Sequence, residues 1–292
     1  PDSFTLFLSI SLLVGIVVGG VGTLWGALYG AIFIMFVPNL AEKVSKAAPW
    51  AVYGVVLILL MFAMPGGVVG LINASSSTAN ALNSDTSSVT VTGGTHVGGI
   101  VGRLNTGTLT NSTSSGAVSG ATQVGGLAGR VYYGAVTGSS STSAVTGTVN
   151  YTGGLVGYSG AAITNAYATG TVNVTGYSSE RTGGLVGNSG GTVTSSYATG
   201  NVTVSSAGTA AYYTGGLIGF SSNTVTDSYA TGVVNVAGSS AHSIGGLIGY
   251  VSGGNVLNSY ASGSVTGSGT GSYYVGGLIG NLNSAIVSDS TY

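Results

Sequence analysis

The sequence predicts a mainly β fold: a parallel β-solenoid of about seven coils of ~30 residues each, preceded by two or three short transmembrane α-helices. Three observations carry that expectation. A phrase of the form Gly-Gly-Leu-Val-Gly returns seven times, starting at Gly98, Gly125, Gly153, Gly183, Gly215, Gly245 and Gly276. Successive starts lie 27, 28, 30, 32, 30 and 31 residues apart, and such a period marks units that bury their apolar faces only by stacking. Between the phrases, Val172/Val174, Val202/Val204 and Val234/Val236 alternate with polar residues, the period-two pattern of a strand. The first seventy residues are instead almost wholly apolar.

Composition limits the function classes. Of 292 residues 54 are glycine and only 4 % are charged, with a net charge of −1. A chain this poor in charge does not steer nucleic acid or acidic substrates by its overall field. With 44 % apolar residues it is not the composition of a disordered chain. It has no cysteine, which excludes disulfides and thiolate metal sites. All four prolines lie at or before Pro65, and from Asn73 onward Gly, Ser, Thr and Asn dominate. This break near Ile72 gives a chimeric layout: residues 1–72 as a membrane segment, 73–94 as a Ser/Thr-rich linker or cap, and 95–292 as the repeats.

Phe4–Val37 has no charged side chain. At ~1.5 Å per residue its length exceeds one upright membrane helix, so Gly19, Gly20 and Gly22 are read as a break between two helices. A third runs from about Trp50 to Met64 and is ended by Pro65-Gly66-Gly67. Gly15, Gly19, Gly22, Gly26 and Gly30 share one helical face, which allows close helix packing in lipid. Lys43 and Lys46 precede the third helix, and the positive-inside tendency would then deliver the repeats outside the cell.

Three motifs here, Ser9–Leu13, Val18–Gly26 and Met64–Leu71, resemble the carboxy-terminal part of bacterial branched-chain amino-acid ABC transporter permeases. The resemblance implies a piece of an inner-membrane subunit that works with ATPase and solute-binding partners. It assigns no catalytic residue.

Within the repeats three columns line up. The first holds Asn111, Gly138, Asn165, Ser195, Asp227, Asn258 and Asp289, bend positions suited to an amide ladder between stacked coils. A second runs Thr113, Ser140, Tyr167, Tyr197, Tyr229, Tyr260 and Thr291. The third, Ile100, Leu127, Leu155, Leu185, Leu217, Leu247 and Leu278, is the expected buried spine, at ~1.5–3 kcal/mol per buried Leu. The glycines ahead of it permit close backbone approach or positive φ. The phrases Gly-Gly-Leu-Val-Gly and Ser-Tyr-Ala-Thr-Gly resemble the GLUG-motif repeats of bacterial adhesin-like surface proteins. That resemblance covers about Thr95–Tyr292 and implies a surface-displayed stalk or adhesion module without an active site.

No residue is assigned to catalysis, a cofactor or a metal. His96 and His242 fall about five coils, or ~24 Å, apart. Asp227 and Asp289 stand two coils apart with Asn258 between them, a separation compatible with glycosidase carboxylates but located in the bend column. No Lys-Ser/Thr follows a glycine phrase, so none reads as a phosphate loop. Sequons occur at Asn73, Asn111, Asn150, Asn173 and Asn201. The pairs Tyr132-Tyr133, Tyr212-Tyr213 and Tyr273-Tyr274 either cover thin coil edges or meet a sugar or protein.

The expectation is thus a non-enzymatic, membrane-anchored adhesion or structural module at the bacterial cell membrane, its repeats extracytoplasmic. Its expected partners are membrane lipid, a surface glycan or protein ligand, and a second copy end to end, because the apolar Ala285-Ile286-Val287 lies near an edge without charge or proline. ABC transporter subunits would be partners under the transporter resemblance. No nucleic acid is expected.

Overall fold

Short β-prone runs punctuated by glycine and serine give short strands, and the repeat sets them in register. The computed structural model describes residues 81–176, 178–205, 210–237, 241–268 and 274–292. The transmembrane helices expected within residues 4–64 lie outside them. Among the described residues there is no helix, and so none long and apolar enough to cross a membrane.

Each coil contributes five strands. In one unit these are Ala162–Thr164, Tyr167–Ala168, Val172–Val174, Ser178–Gly183 and Val186–Ser189. Equivalent strands stack into five sheets, called first to fifth in that order, the first of eight strands and the others of seven. Every pairing is parallel: Val145, Val172, Val202, Val234 and Val265 stand in one column. Six turns of a parallel β-solenoid thus carry the chain from the first glycine phrase to the seventh. The stack begins before Thr95, because Ala81–Asn83, Thr86–Ser87 and Val91–Thr92 already pair with the next coil.

The expected spine is buried. Leu127, Leu155, Leu185, Leu217 and Leu247 are fully enclosed, with Ile100 at one end and the partly buried Leu278 at the other. They pack on the Val and Ile columns of the first and fifth sheets and on Ala168, Ala198, Ala230 and Ala261 of the second. The valines of the third sheet face elsewhere. With Val97, Val124 and Ile244 of the fourth sheet they form separate apolar clusters.

The glycine phrase divides these cores. The fourth strand ends on its first glycine, the chain turns through Gly-Leu, and the fifth strand begins on the following residue. A Cβ on Gly153 would overlap the Val156 carbonyl and lie 2.8 Å from the Gly187 nitrogen. One on Gly157 would lie 2.6 Å from the Val124 nitrogen. Of the two roles open to these glycines, close backbone approach is the one they serve, and among the described residues the positive-φ glycines lie elsewhere, at Gly107, Gly134, Gly138 and Gly254.

Between the first and second sheets one residue turns the chain. Asn111, Gly138, Asn165, Ser195, Asp227, Asn258 and Asp289 all have φ between 49° and 59°, the left-handed region that Asn, Asp and Gly tolerate best. The sequence column is therefore a corner. A rung of the expected ladder is present, Asn258 Nδ2 donating to Asp227 Oδ1 at 3.2 Å, although the corner residues are exposed to solvent.

A buried ladder lies one residue later. Ser112, Ser139, Ser196, Ser228 and Ser259 are buried. The Ser196 amide donates to Ser228 Oγ, the Ser228 amide to Ser259 Oγ, and the Ser259 amide to Ser290 Oγ, at 3.1–3.2 Å. Each hydroxyl donates in turn across its own corner, as Ser228 Oγ does to the Thr226 carbonyl at 2.8 Å. Ala166 interrupts the series, although its own amide still donates to Ser196 Oγ at 3.1 Å.

Candidate functional surface: two stacked aromatic columns

A solenoid in register turns a sequence column into a continuous surface, so any function of the stack lies in the columns that face out. Two of these are aromatic. The second-sheet column runs Thr113, Ser140, Tyr167, Tyr197, Tyr229 and Tyr260 in direct register, and Tyr260 bridges to Thr291. Its four rings lie within 5° of parallel, with centroids 4.8–5.0 Å apart. That is the strand spacing itself, within the range of favourable ring pairs. The Tyr229 hydroxyl is pushed above its usual pKa by burial and by the adjacent Tyr197 and Tyr260.

The other column pair flanks the glycine seam, and sequence reading does not single it out. In the fifth sheet the residue after each phrase gives Arg103, Arg130, Tyr158, Asn188, Phe220, Tyr250 and Asn281 in register. In the fourth sheet, the residue two before each phrase gives Tyr151, Arg181, Tyr213, Ser243 and Tyr274, after His96 and Gln123 in the first coils. Because glycine keeps these strands close, the rings interleave across the seam. Tyr151 lies 6.0 Å from Tyr158, and Tyr213 lies 5.8 Å from Phe220 and 4.9 Å from Tyr250. The signal was present in the sequence as a fixed offset from each phrase.

Two arginines are seated among these rings. The Arg130 guanidinium carbon lies 4.7 Å from the Tyr132 ring centre and 5.0 Å from that of Tyr158. That of Arg181 lies 4.2 Å from Phe220 and 5.2 Å from Tyr151. Both Nε atoms are buried without a hydrogen-bond partner. Arg103 is exposed and donates from Nε to Asn105 Oδ1 at 2.7 Å.

The other sequence candidates separate. His96 and His242 belong to the first and sixth fourth-sheet strands of the stack. The His96 imidazole is held below its usual pKa by burial, then by Arg103 and Arg130, and His242 stacks on Tyr212 with centroids 4.9 Å apart. Asp227 and Asp289 are exposed corner residues, and Ser288 Oγ donates to Asp289 Oδ2 at 2.6 Å. Of the sequon asparagines, Asn111 and Asn201 are exposed, Asn150 and Asn173 half-buried, and Asn73 lies outside the described residues. Of the tyrosine pairs, Tyr132 stacks beside Tyr158 and meets an exposed Tyr133 edge-on. Tyr212 and Tyr213 stack on different partners, His242 and Tyr250. Tyr274 is exposed and Tyr273 lies outside the described residues.

Comparison with known proteins agrees with the repeat geometry. No curated protein and no solved structure gave a significant match. The family model of the GLUG motif matches residues 93–119, 120–146, 148–173, 178–203 and 240–266, and nothing in the comparisons supports the transporter resemblance of residues 1–72. The coil at 204–239 escapes the model, yet its strands pair in register with both neighbours. Across residues 93–266, therefore, the chain is a run of GLUG-motif repeats folded as a parallel β-solenoid.

Proposed function

We propose that this chain is a membrane-anchored module whose repeat region is displayed outside the bacterial cell as a stiff structural and adhesive element, without catalytic activity. The observation that carries this reading is the in-register stack: five sheets built from one repeated unit hold outward columns, such as the four stacked tyrosines of the second sheet, at a fixed spacing. Such a surface suits repeated, multivalent contact rather than a single reaction centre. The apolar segment Phe4–Met64 would supply the anchor, and Lys43 and Lys46 would set its orientation. Protease treatment of intact cells making the chain with a carboxy-terminal epitope tests the display. Loss of the epitope without lysis is expected, and full protection until lysis would overturn the reading.

A further inference from the structure

We infer that the arginine–aromatic ribbon along the fourth and fifth sheets binds a linear polysaccharide carrying carboxylates. This rests on the adhesive reading above and names the ligand class for one face of the stack.

Charge placement comes first. The described residues include three arginines, Arg103, Arg130 and Arg181, and all three belong to this ribbon. Of the acidic residues, Asp85, Asp227 and Asp289 belong instead to the first-to-second-sheet corner, while Glu180 precedes Arg181 in the fourth-sheet strand Ser178–Gly183. Arg103 and Arg130 are direct partners on adjacent strands, a like-charge pairing that costs stability unless an anion lies between or beside the two. The His96 imidazole nearby is held below its usual pKa mainly by burial and secondarily by Arg103 and Arg130. Since the whole chain carries a net charge of −1, this attraction is confined to the ribbon.

Hydrogen-bonding capacity comes second. Arg130 and Arg181 are fixed by ring faces, which hold the cation without using its N–H groups. Their Nε atoms are buried without a partner, but both side chains are only half-buried, so a carboxylate would be met by the outer N–H groups of each planar fork. The rings supply the rest of the site. Tyr151, Tyr158 and Phe220 are half-buried and present rigid apolar faces, onto which the C–H face of a pyranose packs while its hydroxyls stay in water. Arg130 and Arg181 belong to coils two steps apart, ~10 Å along the stack, so a linear polymer with regularly spaced carboxylates meets both. A compact anion does not, and a neutral glycan brings no charge to either guanidinium.

Titration of the full chain in detergent with polygalacturonate tests this, with dextran and double-stranded DNA as comparison polymers. Saturable binding to polygalacturonate is expected, weakening as salt rises, with little binding to dextran. The double variant Arg130→Gln/Arg181→Gln should bind at least about tenfold more weakly, while Tyr260→Phe on the other aromatic column should not change affinity. Should the double variant lose its β-sheet circular dichroism, Arg103→Gln decides, since that exposed side chain can be replaced without disturbing the packing. A several-fold loss is expected there. Absence of polygalacturonate binding, undiminished binding by folded arginine variants, or equally tight binding of DNA would each overturn the inference. A chain that proteases reach in intact cells but that binds no polygalacturonate refutes the ribbon alone. Binding by a chain protected in cells refutes the display and leaves the ribbon standing.

Discussion

Two bends in each coil are closed by opposite means. Where the fourth sheet turns into the fifth, the strands approach through glycine and the contact is backbone on backbone. Where the first sheet turns into the second, one left-handed residue makes the corner and a buried serine ties it to the next coil. The first bend depends on the absence of side chains, so it tolerates no added atom. The second depends on one hydroxyl and admits graded change. The fixity of the glycine phrase and the looseness of the corner column (Asn, Gly, Ser or Asp) both follow from that difference.

The largest effect should come from the seam. In Gly187→Ala the new Cβ would meet the Gly157 oxygen at 2.7 Å and the Thr152 nitrogen at 2.8 Å, both main-chain atoms that cannot rotate away. A loss of about 3 kcal/mol or more is expected, the upper end for an overpacked interior, read as a fall in the denaturant midpoint. Gly190→Ala, three residues on, would meet nothing closer than 3.5 Å and should stay within about 0.5 kcal/mol of the parent. Equal losses in the two variants would mean that glycine content, rather than close approach, is what the phrase supplies.

The corner should respond less. Ser228→Ala removes the acceptor of the Ser196 amide and the donor to the Thr226 carbonyl. Leaving a buried amide unpaired costs about 1–3 kcal/mol. The loss should appear as faster hydrogen exchange at Ser196, with its neighbours in the third sheet unchanged. If exchange rises uniformly through the stack, the serines do not act as local ties.

The interruption at Ala166 allows the reverse experiment. Ala166→Ser places a hydroxyl in line with Ser139 and Ser196 and should stabilise the chain by about 0.5–1.5 kcal/mol. The neighbouring coils already contain this arrangement. A destabilised variant would show that the second-sheet backbone at this coil is set differently from its neighbours.

The sequence makes one of these bends more legible than the other. The repeat period, the Leu spine and the tyrosine column are visible because each repeats one residue type at a fixed offset, and stacking in register buries that Leu in coil after coil. The bend column is visible too, but its mechanism is not. Asn111, Asn165 and Asn258 suggest side-chain hydrogen bonding, which Asn258 does supply to Asp227, but the structure also uses their tolerance of positive φ and places the buried ladder on the next residue. Serine is too common here for one more column of it to stand out. The arginine–aromatic ribbon escapes for another reason: its two columns mix Arg, Tyr, Phe, Asn and Gln and come from different strands. Only the glycine seam, which brings the fourth and fifth sheets together, makes them one surface.

The smallest expected effect tests whether that surface is electrostatically distinct from the corner. His96 sits in the ribbon's first coil with φ 54°, and its pKa is lowered by burial and then by Arg103 and Arg130. The folded state therefore binds a proton less readily than the unfolded chain, whose imidazole titrates near ~6.5. Below that pH the unfolded state carries more protons, so stability should fall on acidification and recover as pH rises through the same window. Working above about pH 5.5 keeps the carboxylates outside it. His96→Asn, which tolerates the left-handed backbone, should flatten the denaturant midpoint between mildly acidic and neutral pH. Added salt should shrink the slope of the parent by screening the arginines. A parent midpoint that rises on acidification would mean that His96 gains a partner when charged, contrary to a ribbon whose field is positive.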